Sequence, residues 1–536
     1  MSVDPDPSGG LTRRAVLTGG AATAAGLAFG SWFAPSAAAR TSPSWPNATL
    51  TGEAARRVDP AQFLPWEQIH TWQESADAVG LRATGTPSHH AYVDRLAERM
   101  ERVGIRDIRT DQVPLERWDP SQWSLDVVGG QDAGPAEVAW YVPYSGDTGP
   151  EGVTAPLATQ PRSGTIGLVT IKPPGIPFLL MDLIDWDAPW QPHHAPGYNP
   201  LALYDRPWIG GIPAQGTLDT YKEAGAVGLI IVLDLPPEIA RGQYLPYDGK
   251  IRGIPSLIVD RDTGARLKKV ADARGEVRLR LQATVTETTT PNVYGVIPGA
   301  SDELVMLQSH TDGTNGIEEN GPEGILAMAQ YLSRIPSQQL PRSVLVLMTT
   351  GHMAGTIGTD TFLRRHADGL VARTAAAMSL EHLGARAWLP DADGDYHIAP
   401  DPEPAICFTS PHPAIIAAAR RAHLRSRTGD ARVMRPFLPD LERRESPSGF
   451  WWPGDGEGLW RIAALPSLQF ITGPTYLLNA DMPTMRFVDT HAMRRQAIAF
   501  TDAALELART PRHDLRERRI DDPSFVLDVL RRFGLA

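Results

Sequence analysis

The chain has 536 residues, of which 42% are apolar and 21% charged. This excludes a disordered chain and allows two or three domains with substantial cores. The net charge is −11 with Lys and Arg scattered, which argues against a nucleic-acid surface, since that needs a basic stripe.

In chain order, Thr12-Arg13-Arg14-Ala15-Val16-Leu17 precedes a weakly apolar, Ala/Gly-rich stretch to about Phe33, and Ala37-Ala38-Ala39 is a small-residue cleavage site. The segment predicts an export signal over residues 1–39, with paired arginines like those of twin-arginine signals. An ordinary secretory signal or an uncleaved anchor are the alternatives. The expected destination is the cell envelope or the medium. No later segment reaches the roughly 18 apolar residues of a membrane span. The single cysteine, Cys407, excludes an internal disulfide and reads as a buried apolar residue in Ala405-Ile406-Cys407-Phe408.

Trp66–Val79 reads as a helix. Gly80–Pro87 is a Gly/Pro loop, and Ser88 is expected to cap a helix over His89–Val103 whose apolar face holds Tyr92, Leu96, Met100 and Val103. Between 120 and 290 the pattern becomes short β-rich runs separated by Pro/Gly turns. Strands are expected at Gly164–Ile171, Leu229–Leu233 and Ile254–Val259, with a short helix at Thr217–Ala224. From Asn292 onward strands and helices alternate, as in a parallel sheet. A helix opens at Pro322 and Glu323, with Ile325, Met328, Ala329, Leu332 and Ile335 at helical spacing. Pro466–Ile471 is a later core strand, and Phe500–Leu507 lies on a closing helix.

Three apolar runs end in side chains that can bind metal. Leu304–Leu307 leads to His310-Thr311-Asp312, Val344–Met348 to Gly351-His352-Met353, and Ala375–Leu380 to Glu381-His382. Such runs describe the carboxyl edge of a mostly parallel sheet, where α/β proteins place ligands. Taken alone, His310 and Asp312 read first as a loop hydrogen bond, and Glu318, Glu319 and Asn320 as complements to a helix N-terminus. Glu381-His382 points to function, since buried charge is paired or coordinates metal. Gly454-Asp455-Gly456-Glu457-Gly458 reads first as a flexible turn. His193-His194 with Trp186, Trp190 and Trp208 could line a cleft, or pack under a loop. There is no Gly-x-Ser-x-Gly elbow and no His-Glu-x-x-His helix.

Three stretches, Gly80–Val103, Gly225–Ile230 with Ile254–Leu257, and Asn292–Gly299 through Asp312, resemble metallopeptidase family twenty-eight, the zinc exopeptidases of the bacterial leucine aminopeptidase and glutamate carboxypeptidase type. The resemblance implies a three-layer α/β fold around a mostly parallel sheet, with an inserted β-rich domain like a protease-associated domain. It divides the chain into an exopeptidase-like domain at 60–120 and 291–510, an insert at 121–290 and a tail at 511–536. It further implies that His310 and Glu381 hold a metal and that Glu319 replaces the bridging aspartate, with Glu318 and Asn320 as alternatives. Asp312 would orient His310. The family's Glu-Glu pair falls on His352-Met353, and its C-terminal histidine near Tyr476–Asp481, where none occurs. Both missing ligands serve the same ion. The expectation is therefore one zinc on His310, Glu319 and Glu381, with His352 as general base, in a secreted hydrolase of peptide or other amide bonds. A binding protein on the same fold and a single-zinc acyl transferase or cyclase are the alternatives.

Overall fold

The computed structural model describes residues 45–130, 132–186, 199–436, 438–439, 450–517 and 520. The expected export signal, Trp190 and His193-His194 lie outside them.

Two long strands, β1 (Arg106–Val128) and β6 (Glu276–Ile297), pair antiparallel along nearly their whole length. At one end β6 also pairs with β2 (Val153–Ala158), followed in parallel by β3 (Ile166–Ile171), β4 (Gly228–Leu233) and β5 (Ser256–Val259). At its other end β6 pairs antiparallel with β8 (Ser343–Thr349). Beyond β8 run β7 (Leu304–His310), β9 (Thr374–Leu380) and β12 (Ser467–Thr472), all parallel to it. The antiparallel β10 (Ala405–Thr409) and then β11 (Ala431–Met434) complete that edge. The result is one 14-stranded sheet. The boundaries expected at 120/121 and 290/291 fall inside two continuous strands, so residues 121–290 share backbone pairing with the rest of the sheet. Among the helices of residues 121–290 the two longest are α3 (Gly211–Glu223) and α4 (Arg261–Asp272).

The apolar runs of β7, β8 and β9 are buried on both faces, which is why they read as continuous rather than alternating. Val305 and Leu307 of β7 join one core with α1 (Trp66–Asp77), α2 (Pro87–Arg102), α5 (Gly321–Leu332), α7 (Pro413–Ser426) and α9 (Thr490–Arg509). Leu304 and Met306 face a second core with Phe362 and Leu363 of α6 (Ile357–Arg365) and Leu459 of α8 (Glu457–Arg461). Sheet and two helical coverings make the three layers.

Local boundaries shift for identifiable reasons. Helix α2 starts at Pro87, with Thr86 rather than Ser88 as cap, because Thr86 Oγ1 accepts from His89 N and Pro87 presets the first helical φ. Arg386–Pro390 and Tyr396–Pro402 form an antiparallel hairpin. The first part of the expected tail folds too: Arg512–Arg516 is helical and its Leu515 is fully buried. Cys407 is fully buried in the first core. No helix among the described residues is long and apolar enough to cross a membrane.

Candidate metal centre

Because β7, β8, β9 and β12 are parallel, their carboxyl ends meet at one edge, and the turns after them converge there. The ring of His310 folds back onto its own loop: Nδ1–H donates to the Asp312 carbonyl at 2.8 Å. This leaves the Nε2 lone pair aimed at Glu318 Oε1, 4.0 Å away, and Glu381 Oε2, 3.9 Å away. His382 Nδ1–H donates to the Thr472 carbonyl, so its Nε2 faces Glu381 Oε2 at 3.7 Å. The turn needed for this puts His382 at φ +54°, a left-handed backbone uncommon outside glycine. His352 stacks on His310 with ring centroids 4.2 Å apart and presents Nε2 to Glu318 Oε1 at 3.5 Å.

Two overlapping ligand groups result. His310, Glu318 and His352 form one; His310, Glu381 and His382 form the other. All five side chains are buried. His310 Nε2, His382 Nε2, Glu318 Oε2 and Glu381 Oε2 have no hydrogen-bond partner. Buried polar atoms are normally satisfied, so converging unpaired nitrogen and carboxylate atoms fit a cation, and the mix of imidazole and carboxylate suits zinc.

Three expected roles change. Glu319 is not directed at the histidines; its carboxylate pairs with the Arg82 guanidinium, both groups fully buried. Arg82 comes from the loop before α2, which is bridged to Gly313, and its Nη1 and Nη2 also bond the carbonyls of Ala76 and Asn315. With Glu319 drawn to that side, Glu318 is the carboxylate that faces His310 and His352. Asn320 is occupied elsewhere, exchanging two hydrogen bonds with the Leu383 backbone. The Asp312 carboxylate does not touch the His310 ring, which is held by the Asp312 carbonyl instead. That carboxylate accepts from Thr84 Oγ1 at 2.6 Å and from the backbone N–H groups of His352 and Met353 at 3.2 and 2.9 Å. It therefore clamps the turn that carries His352.

Asp455, in the glycine run that reads as a turn, is fully buried inside the centre. Its Oδ1 lies 3.6 Å from His352 Nδ1. Its Oδ2 accepts from Thr349 and Thr359, each at 2.8 Å, and from Gln308. Its N–H donates to Glu381 Oε1 at 3.1 Å, which leaves Glu381 Oε2 for the cluster. The signal in the sequence is an acid between two glycines ahead of a short helix, too common to single out. Trp186 and Trp208 bond Thr409 and the Gly473 carbonyl.

Burial pushes Glu318 up to about 8, helped by Asp312 and Glu381. Burial and Asp455 push Glu381 up to about 7. Burial also lowers His310 to about 4, helped by His352, and His382 to about 3, helped by His310. For His352 burial works in the same lowering direction, but Asp455, Glu318 and Glu381 outweigh it and raise the ring to about 10.

No family model matches the chain, and no curated protein matches it. Among solved structures, the zinc aminopeptidase BSAP from Bacillus subtilis superposes with a TM-score of 0.55 at 14% identity, over 85% of this chain and 98% of its own. An M28 peptidase precursor from Shewanella amazonensis gives 0.56 at 15%, over 83% and 96%. An aminopeptidase from Aneurinibacillus sp. strain AM-1 gives 0.54 at 14%, over 84% and 94%. At this identity what is shared is the fold: a mixed α/β architecture around a large, mostly parallel sheet, as in the zinc aminopeptidases.

Proposed function

We propose that the chain is an exported, one-zinc hydrolase of peptide or other amide bonds, acting in the manner of an aminopeptidase. The carrying observation is His310 Nε2, buried without a hydrogen-bond partner, with Glu318 Oε1 at 4.0 Å and Glu381 Oε2 at 3.9 Å, at the sheet edge where α/β proteins bind ligands. The likeness in fold to solved aminopeptidases supports the reading. Arg13-Arg14 and the following small-residue stretch support export by the twin-arginine route.

The chemistry of His310 supports a single ion. Both ligand groups need its Nε2, and Nδ1 already donates to a carbonyl. One ring nitrogen has one lone pair, so the two groups cannot be filled by two ions at once. His310, Glu318 and Glu381 would hold the ion, leaving a position for water. Bound zinc supplies a water acidified to near neutral pKa and a Lewis acid for the carbonyl.

The chain's own residues supply proton transfer. His352 lies beside Glu318 and is backed by Asp455, an arrangement that orients an imidazole and stabilises its charged form. In the metal-free centre three carboxylates hold His352 protonated. A cation bound to Glu318 and Glu381 would neutralise two of them and bring the ring back toward a working range. His352 then accepts a proton from water and returns it to the leaving amine. Acidic side chains dominate the rest of the centre, which favours a substrate with a free amino group.

The test is zinc per chain by elemental mass spectrometry, with amide turnover, on wild type and His352→Ala. One zinc in both, with turnover in wild type alone, is the expected result. Zinc lost together with activity would make His352 a ligand. A wild type that takes up no zinc would move the reading to a binding protein on this fold.

A further inference from the structure

One loop of the inserted segment reaches the metal centre. Gln243 forms a β-bridge with Asn479, and the Tyr244 N–H donates to the Leu478 carbonyl at 2.9 Å. Four residues on, Asp248 forms a β-bridge with Ala354, next to Met353. Gly249, at φ +65°, lies so close that a Cβ there would stand 2.8 Å from the Ala354 backbone. Arg252 fixes the Asp248 carboxylate with bonds of 2.9 and 2.6 Å. The loop is thus pinned to the turn after β8 and to the turn after β12. Between its two anchors lies Tyr247, whose half-buried ring is 5.4 Å from the His352 ring.

Several donors around the centre are already committed. His310 and His382 each give Nδ1–H to a backbone carbonyl, and Arg82 is taken by Glu319. Glu318 and Glu381 when ionised only accept. Burial, with those two carboxylates nearby, keeps the Tyr247 phenol protonated, so its O–H is a neutral donor beside an acid-rich centre. It forms no hydrogen bond among the described residues.

We infer that Tyr247 is a substrate-contact residue supplied by the inserted segment, its hydroxyl donating to the carbonyl oxygen of the ligand held at the metal centre. This rests on the hydrolase reading for its role in turnover: the hydrogen bond strengthens as charge grows on that oxygen. It makes the insert part of the active site and not an appendage.

The experiment compares full-length, zinc-loaded wild type with Tyr247→Phe, which keeps the ring and removes the hydroxyl. The expected result is a fall in kcat of about a hundredfold, the scale for one lost oxyanion donor, with KM and zinc per chain unchanged. An unchanged kcat, or zinc lost in step with activity, overturns the inference. Leucine hydroxamate, a carbonyl-bearing zinc ligand, is titrated calorimetrically against both proteins. If wild type binds it yet hydrolyses no amide, the hydrolase reading fails, while affinity about tenfold weaker in Tyr247→Phe, or roughly 1.4 kcal/mol, sustains the contact. Equal affinity in the two proteins, or no binding by wild type, overturns it.

Discussion

Asp455 Oδ1 lies 3.6 Å from His352 Nδ1, in a fully buried pocket behind the candidate metal centre. The two residues are 103 positions apart, and neither the strand ends nor the helix caps require their meeting. The other oxygen of Asp455 is saturated by Thr349, Thr359 and Gln308, so the carboxylate cannot turn away. Asp455→Asn should lower kcat by about tenfold to a hundredfold through loss of the charged partner of the proton carrier, with zinc retained. An unchanged kcat in steady-state assays would remove Asp455 from the proton path.

The adjacent acids Glu318 and Glu319 should separate by experiment. Glu318→Gln removes a carboxylate from the ligand group and should lose zinc while the metal-free fold persists. Glu319→Gln should keep the ligands but leave Arg82 buried without its charge partner, at a cost of about 3–5 kcal/mol. Zinc content and denaturant midpoints, measured on both variants, distinguish the roles; zinc loss on Glu319→Gln with undiminished stability would reverse them.

Gly313 should tolerate no side chain. A Cβ at that position would overlap the carboxylates of both Glu318 and Glu319. Gly313→Ala should lower zinc affinity and destabilise by about 1–3 kcal/mol, the usual scale of overpacking. Zinc titration and a chemical melt read the two effects separately.

Metal-free protein should lose stability as pH rises from about 6.5 to 10. Glu318 (about 8 against 4.5), Glu381 (about 7 against 4.5) and His352 (about 10 against 6.5) all bind protons more tightly in the fold than in the open chain. Groups raised in this way contribute stability that is full below their unfolded pKa and lost as pH passes the folded value. His310 and His382, depressed to about 4 and 3, act oppositely only below 6.5, where the folded state resists their protonation. Zinc competes with protons for these ligands, so the loaded protein should gain stability relative to the metal-free one across the same range. Thermal melts with and without zinc at pH 6.5, 8 and 9.5 check this. A metal-free midpoint that climbs with pH would contradict the ionisation states described for the centre.

The sequence by itself determined the sheet and the edge where the candidate centre lies. Unbroken apolar runs at Leu304–Leu307, Val344–Met348 and Ala375–Leu380 can be buried on both faces only inside a covered parallel sheet, and parallel strands bring His310, His352 and Glu381 to one side. The tertiary structure decided which neighbours complete the centre. Glu318 and Glu319 are adjacent and chemically alike; the choice between them depends on Arg82, placed there by a loop more than two hundred residues earlier. Asp312 contributes its carbonyl to His310 and its carboxylate to the next turn, a division that spacing does not express. Asp455 arrives on a loop whose local composition reads as an ordinary turn. Strand ends follow from local burial and periodicity, whereas side-chain direction beyond a strand end follows from what distant segments pack against it.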